Sequence, residues 1–162
     1  MAATANRLKV TLPSDREVML VREFDAPRNR VWDACTMPDL VKQWWGPLGT
    51  SLTICEIDLR PGGIWRFVSR ADDGTEHPFT GVYREITAPE RVVQTSIYDV
   101  PPFNEFEAIE TMTLNEHAGR TTLTTIVLHQ SMQARDGYIQ SGMEKGAGET
   151  FDRLEELLAA TT

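Results

Sequence analysis

The spacing of apolar positions changes its period twice along the chain. Residues 17–25 read as a strand, with Val18, Met19, Leu20, Val21 and Phe24 β-compatible and apolar. Pro27 is expected to open a short helix, where its missing N–H costs nothing, and Val31, Trp32 and Cys35 give that helix an apolar face. Thr36 is expected to cap a second short helix over 38–43, which Gly46-Pro47 stops. From residue 51 the period becomes two. Residues 51–60, 63–71, 78–87, 91–98, 105–115 and 120–130 each read as a strand. Turn chemistry separates them: Pro61-Gly62-Gly63, Asp72-Asp73-Gly74, Ala88-Pro89-Glu90, Pro101-Pro102 and Glu116-His117-Ala118-Gly119. The period then returns to helical over 134–160, where Ile139, Met143, Ala147, Thr150, Leu154, Leu157 and Leu158 form one stripe.

These elements predict an α+β domain. Short connections between successive strands imply an antiparallel meander, and the lack of crossover helices excludes a parallel doubly wound sheet. A seven-stranded antiparallel sheet must bury one face, and the C-terminal helix is the element large enough to cover it. The expected architecture is a curved sheet gripping that helix, with the two short helices at one end. A length of 162 residues fits one domain, and the ordered core is expected over about 8–159, with 1–7 and 160–162 frayed.

Charge and motif content narrow the function by exclusion. The formal net charge is −8. Residues 1–81 carry 10 basic and 11 acidic side chains, whereas 82–162 carry 6 and 13. With no basic stripe there is no footprint for a nucleic-acid backbone, and an anionic membrane surface would repel the chain. No apolar run reaches the length of a membrane span, and the N-terminus lacks the apolar core of a secretory signal, so a cytoplasmic location is expected. Cys35 and Cys55 read as two reduced thiols. His77, His117 and His129 have no metal-ligand spacing, so neither a metal nor a cofactor is expected.

Two features point to an interior site. Gly142, Gly146 and Gly148 interrupt the long helix, each at about 0.8–1 kcal/mol relative to Ala. They mark either a close approach of helix to sheet or a helix hollowed out above a concave sheet for a ligand. The inward aromatics Trp65, Phe67, Tyr83 and Phe106, with Trp45 from the helical end, suit a core and an apolar pocket alike. The second feature is Glu110, a carboxylate in the apolar stripe Phe106, Ala108, Met112, Leu114. A four-residue turn over 116–119 would set Met112 opposite Leu123, Glu110 opposite Thr125 and Phe106 opposite His129. On that inner face desolvation would raise the pKa of Glu110 and fit it for acid/base work. The expected cavity wall is Trp45, Trp65, Phe67, Tyr83, Phe106, Met112, Thr125, His129, Met143 and Ala147.

A set of motifs in fixed order carries a resemblance. Asp25-Ala26-Pro27 with Val31-Trp32, Trp44-Trp45-Gly46-Pro47, Asp58-Leu59-Arg60-Pro61-Gly62-Gly63-Ile64-Trp65, Gly81-Val82-Tyr83-Arg84-Glu85-Ile86 with Pro89-Glu90-Arg91, and Gly142-Met143-Glu144-Lys145-Gly146 resemble the START-like (SRPBCC) superfamily. Within it they are similar to the branch related to the C-terminal domain of the heat-shock protein 90 ATPase activator. The resemblance covers about residues 17–159. It implies a helix-grip fold with a deep hydrophobic cavity between sheet and C-terminal helix. It implies no single activity, since the superfamily includes lipid and steroid carriers, hormone receptors, aromatase/cyclases and oxygenase domains. Three functions stay open. The first is binding of a small hydrophobic or amphipathic molecule in that cavity. The second is a cavity enzyme of the cyclase, dehydratase or hydrolase type with Glu110 as acid/base and Tyr83 or His129 as polar partner. The third is a protein-interaction domain of the chaperone-partner kind. A homodimer is also left open, as the commonest closed assembly.

Overall fold

A computed structural model describes residues 7–160. The termini expected to fray therefore lie outside the described residues, except for Arg7 and Ala160. Strand β1 is Lys9–Thr11 and β2 is Glu17–Phe24. Two helices follow, α1 (Arg28–Thr36) and α2 (Pro38–Val41). The meander is β3 (Thr50–Ile57), β4 (Ile64–Ala71), β5 (Glu76–Thr87), β6 (Arg91–Tyr98), β7 (Ala108–His117) and β8 (Arg120–Leu128). Helices α3 (Met132–Gln140) and α4 (Met143–Ala160) end the chain. The strands form one antiparallel sheet in the order β1-β2-β8-β7-β6-β5-β4-β3.

The sheet thus has eight strands rather than the expected seven. The additional strand, β1, is three residues long and pairs Lys9, Val10 and Thr11 with Val21, Leu20 and Met19. So short a segment shows no periodicity in sequence; it is a strand because β2 offers it an edge. The C-terminal helix is likewise two helices. Gly142 adopts φ +87°, a left-handed conformation that ends α3 at Ser141 and restarts the helix at Met143. The other helix starts shift slightly. Pro27 is the residue before α1 rather than its first turn, and Pro38 opens α2. Thr36 caps nothing; its hydroxyl donates to the Trp32 carbonyl at 2.7 Å.

The inner face of the sheet carries two separate apolar clusters. The larger one joins Phe24, Trp32, Trp44, Trp65, Phe67, Tyr83, Leu114 and Leu123 to Leu154 and Leu158 of α4. The smaller one joins Val18, Leu20, Ala108 and Val127 to Met143. Phe151 packs against both. Trp44 is fixed by its indole N–H, which donates to the Ala34 carbonyl at 2.8 Å, and its ring stacks on Phe151. Trp65 donates to the Thr95 carbonyl at 3.0 Å. Gly81 makes room for that ring: a Cβ there would stand 2.4 Å from the indole nitrogen and 1.8 Å from the Thr95 oxygen.

Arginines hold α4 down. Arg22 lies on the inner face of β2, is 2% exposed, and pairs with Asp152 at 2.9 Å and Glu155 at 3.3 Å. Arg30 of α1 donates to the Leu158 carbonyl, and Arg153 of α4 donates to the Gly46 carbonyl at 2.8 Å. These contacts fasten the middle and C-terminal turns of α4.

Two predictions follow from this framework. Ala118 and Gly119 form the β7–β8 turn, both at positive φ (54° and 79°), and alanine is strained there. Ala118→Asn should stabilise the fold by about 0.5 kcal/mol, read as a higher urea midpoint. Arg22 is buried while Asp152 is well exposed, so the charge at risk is the arginine's. Removing both acids as D152N/E155Q strands a buried cation and should cost about 3 kcal/mol, whereas Arg22→Met, which removes the charge and keeps the volume, should cost less. Equal losses in denaturant unfolding would contradict this account.

Candidate functional site

The β7–β8 turn decides where Glu110 stands. The turn has two residues rather than four, and pairs His117 with Arg120, Leu114 with Leu123, Met112 with Thr125 and Glu110 with Val127. The expected register is therefore off by two residues. A shift of two preserves the face, so Glu110 still shares the inner face with Ala108, Met112 and Leu114. On its other side Glu110 pairs with Gln94 of β6, and Gln94 with Tyr83 of β5.

Glu110 lies in the seam between the two apolar clusters. Val127 and Ala108 belong to one cluster, while Leu114 is in the other and Met112 packs against it. Its hydrogen-bond partner is weak: the Gln94 amide donates to Oε1 at 3.4 Å. Burial pushes the Glu110 carboxyl up to about 7. Tyr138 of α3 lies close enough for the Glu110 charge to raise its phenol further, on top of the larger effect of burial. Tyr138 in turn packs its ring on His129, with centroids 4.9 Å apart. His129 is 9% exposed and its Nε2 is buried without a hydrogen-bond partner. Burial, with the nearby Arg135 charge, holds the imidazole below its usual pKa, so the ring is neutral near pH 7.

The remaining expected wall residues divide by position. Trp65, Phe67 and Tyr83 are buried in the larger cluster, and Trp45 packs its ring edge-on against Phe67 and Phe79 at 5.1 and 5.2 Å. Met143 and Ala147 meet the smaller cluster, and Thr125 sits on the inner face between Leu20 and Met112. Phe106 stands apart: it follows a short 3-10 turn, precedes β7 and is 52% exposed. Gln94 and Tyr138 complete the polar group and did not emerge from sequence. Tyr138 packs against the same cluster as Met143 and stood four residues before Gly142, whereas Gln94 lay in a strand of mixed polarity, Arg91–Tyr98, whose pattern gave no register.

The helix glycines separate by role. A Cβ on Gly146 would meet nothing within 4 Å, so no close approach to the sheet requires glycine there. Gly146 is half-buried and lies on the helix between Met143 and Thr150, toward the meander side that Arg153 also faces. Gly148 lies on the opposite flank, in an open groove of about 540 Å³ with Leu8, Glu144, Lys145, Glu149 and Asp152. None of the expected wall residues lines that groove.

Comparison with known proteins places the whole arrangement. The family model described as activator of Hsp90 ATPase homolog 1-like protein matches residues 25–159. The chain belongs to this family. Members and neighbours share the fold closely. A crystal structure from Rhodobacter sphaeroides is 27% identical, with TM-score 0.87, covering 94% of this chain and 99% of that one. A Nitrosomonas europaea protein is 29% identical, with TM-score 0.82 and coverages of 93% and 98%. A Mycobacterium smegmatis protein is 25% identical, with TM-score 0.84 and coverages of 95% and 98%. No curated protein matches the chain. Membership agrees with the resemblance carried by the motifs, and the structure gives several of those motifs a local task. Asp58 and Arg60 pair with each other at 3.0 Å on an exposed turn, and Gly63 fits where a Cβ would strike the Asp58 carbonyl. Both cysteines are free, and burial raises the Cys35 thiol to about 12 and the Cys55 thiol to about 11, so neither is a ready nucleophile. Among the described residues no group of three or more His, Cys, Asp or Glu could hold a metal, and no helix is long and apolar enough to cross a membrane.

The Glu110 carboxyl makes a prediction about stability. Folding raises its pKa from 4.5 to about 7, so the folded state holds this proton more tightly than the unfolded chain. The contribution is most favourable below about pH 4.5 and is lost as the pH rises through about 7. Glu110→Gln removes the titration. The variant should match the parent near pH 4.5 and exceed its stability by about 3 kcal/mol at pH 8, measured by urea unfolding at both pH values.

Proposed function

We propose that the protein binds a small hydrophobic or amphipathic molecule between the N-terminal half of α4 and the inner face of β5–β7. The observation that carries this reading is the pairing of open space with a polar seam. A Cβ on Gly146 would meet nothing within 4 Å, and on the inner face of the sheet the apolar packing divides into two clusters with Glu110 and Gln94 between them. A core optimised only for stability would fill such a seam with apolar side chains, because a poorly partnered carboxyl there costs free energy. Aromatic walls around a few convergent polar groups are the usual make-up of a small-molecule site. Membership in a helix-grip family, whose cavity lies in this position, supports the same reading.

Filling the space tests it. Gly146→Leu introduces a good helix former where a Cβ meets nothing, so the fold should gain up to about 1 kcal/mol. The same side chain should occupy the ligand's volume. Thermal shift and isothermal titration with an aliphatic alcohol such as octanol should show binding by the parent and at least about tenfold weaker binding by the variant. A variant that is stabilised and binds octanol undiminished would place the ligand elsewhere.

A further inference from the structure

Glu110 makes no ion pair among the described residues. Among the described residues its one recorded partner is the Gln94 amide at 3.4 Å. Three arginines of β2, α3 and α4 are committed elsewhere. Arg22 serves Asp152 and Glu155, and Arg153 serves the carbonyls of Gly46 and Pro47. Arg135 serves Asp136 and the Ser14 carbonyl. The groups shown beside Glu110 are neutral: Gln94 pairs with it from β6, Val127 from β8, and Tyr138 of α3 lies close enough to feel its charge. His129, at the end of β8, adds a neutral ring whose buried Nε2 also lacks a partner. The site therefore holds an acid and an unused imidazole nitrogen, among aromatic rings and without a counter-ion.

We propose that the head group of the ligand is a cationic amine, which supplies the counter-ion that Glu110 lacks and leaves an anionic head excluded. This rests on the binding reading above and deepens it to a ligand class. Three physical arguments agree. An ammonium paired with a carboxylate in a desolvated seam gains far more than in water. An anionic head placed there would meet a like charge with no cation within reach, which costs several kcal/mol. The Tyr138 ring beside Glu110 adds aromatic surface for a cation, and the net charge of −8 draws cations toward the protein.

A matched set of probes, octylamine, octanol and octanoate, tests the proposal by isothermal titration. At about pH 8.5, where Glu110 is ionised, octylamine should bind about tenfold tighter than octanol, and octanoate more weakly than both. At about pH 5.5 Glu110 is protonated while octylamine keeps its charge, so the preference for amine over alcohol should shrink to about threefold or less. Glu110→Gln should abolish the preference at both pH values. Glu76→Gln, an exposed acid on β5, changes the net charge equally and should leave it intact. The pH comparison uses the unaltered protein and does not depend on any variant folding. Octanoate binding as tightly as octylamine, a preference independent of pH, or one that survives in Glu110→Gln would overturn the amine assignment and leave the binding reading standing. Failure of all three probes to bind would overturn the binding reading and this one with it.

Discussion

A guanidinium buried between sheet and helix must be met by carboxylates, and Arg22 meets that requirement with Asp152 and Glu155 of α4. Its Nε still lacks a partner, so the position is tolerated for what it fixes rather than for its own contribution. What it fixes is the height and rotation of α4 over the sheet. Arg30 and Arg153 add hydrogen bonds to carbonyls at the end of the helix and in the loop after α2. With these three contacts in place, Leu154 and Leu158 enter the larger cluster, and Met143 and Ala147 meet the smaller one.

The division of the interior follows from that clamp. The C-terminal turns of α4 close over a cluster rich in tryptophan, where indole N–H groups satisfy carbonyls and rings fill volume. The N-terminal turns carry small residues, Gly146, Ala147 and Gly148, and begin at a left-handed glycine that turns α3 away from α4. Glu110 lies between the two clusters, where burial raises its pKa and no cation among the described residues pairs with it.

Much of this was legible in sequence. Seven strands, the two short helices and the inward stripe of β7 were all readable because a half-buried strand alternates with period two. Glu110 kept its predicted face although the turn length was wrong, since a slip of two residues preserves the face that a slip of one would reverse. Arg22 went unremarked in the sequence, although it falls between Leu20 and Phe24 on the buried side of β2. Strand β1 was not, because three residues carry no period. The break at Gly142 was hidden too, because the apolar stripe continues across it and helical spacing alone does not register a change of axis.

By itself, then, the sequence determined the order of seven strands and the two short helices, the antiparallel meander, the inner face of β7 and the family to which the chain belongs, because each is written in local period, turn chemistry and motif order. Only the tertiary structure decided which residues meet. Gln94, Tyr138 and His129 come from three elements remote from one another in the chain, and their meeting around Glu110 depends on strand register and on where α3 folds back. Whether a helix glycine marks a tight seam or open space is likewise a property of what stands across from it, and at Gly146 nothing does. Local pattern specifies the direction in which a side chain points, whereas the space and charge it meets there are set by the rest of the fold.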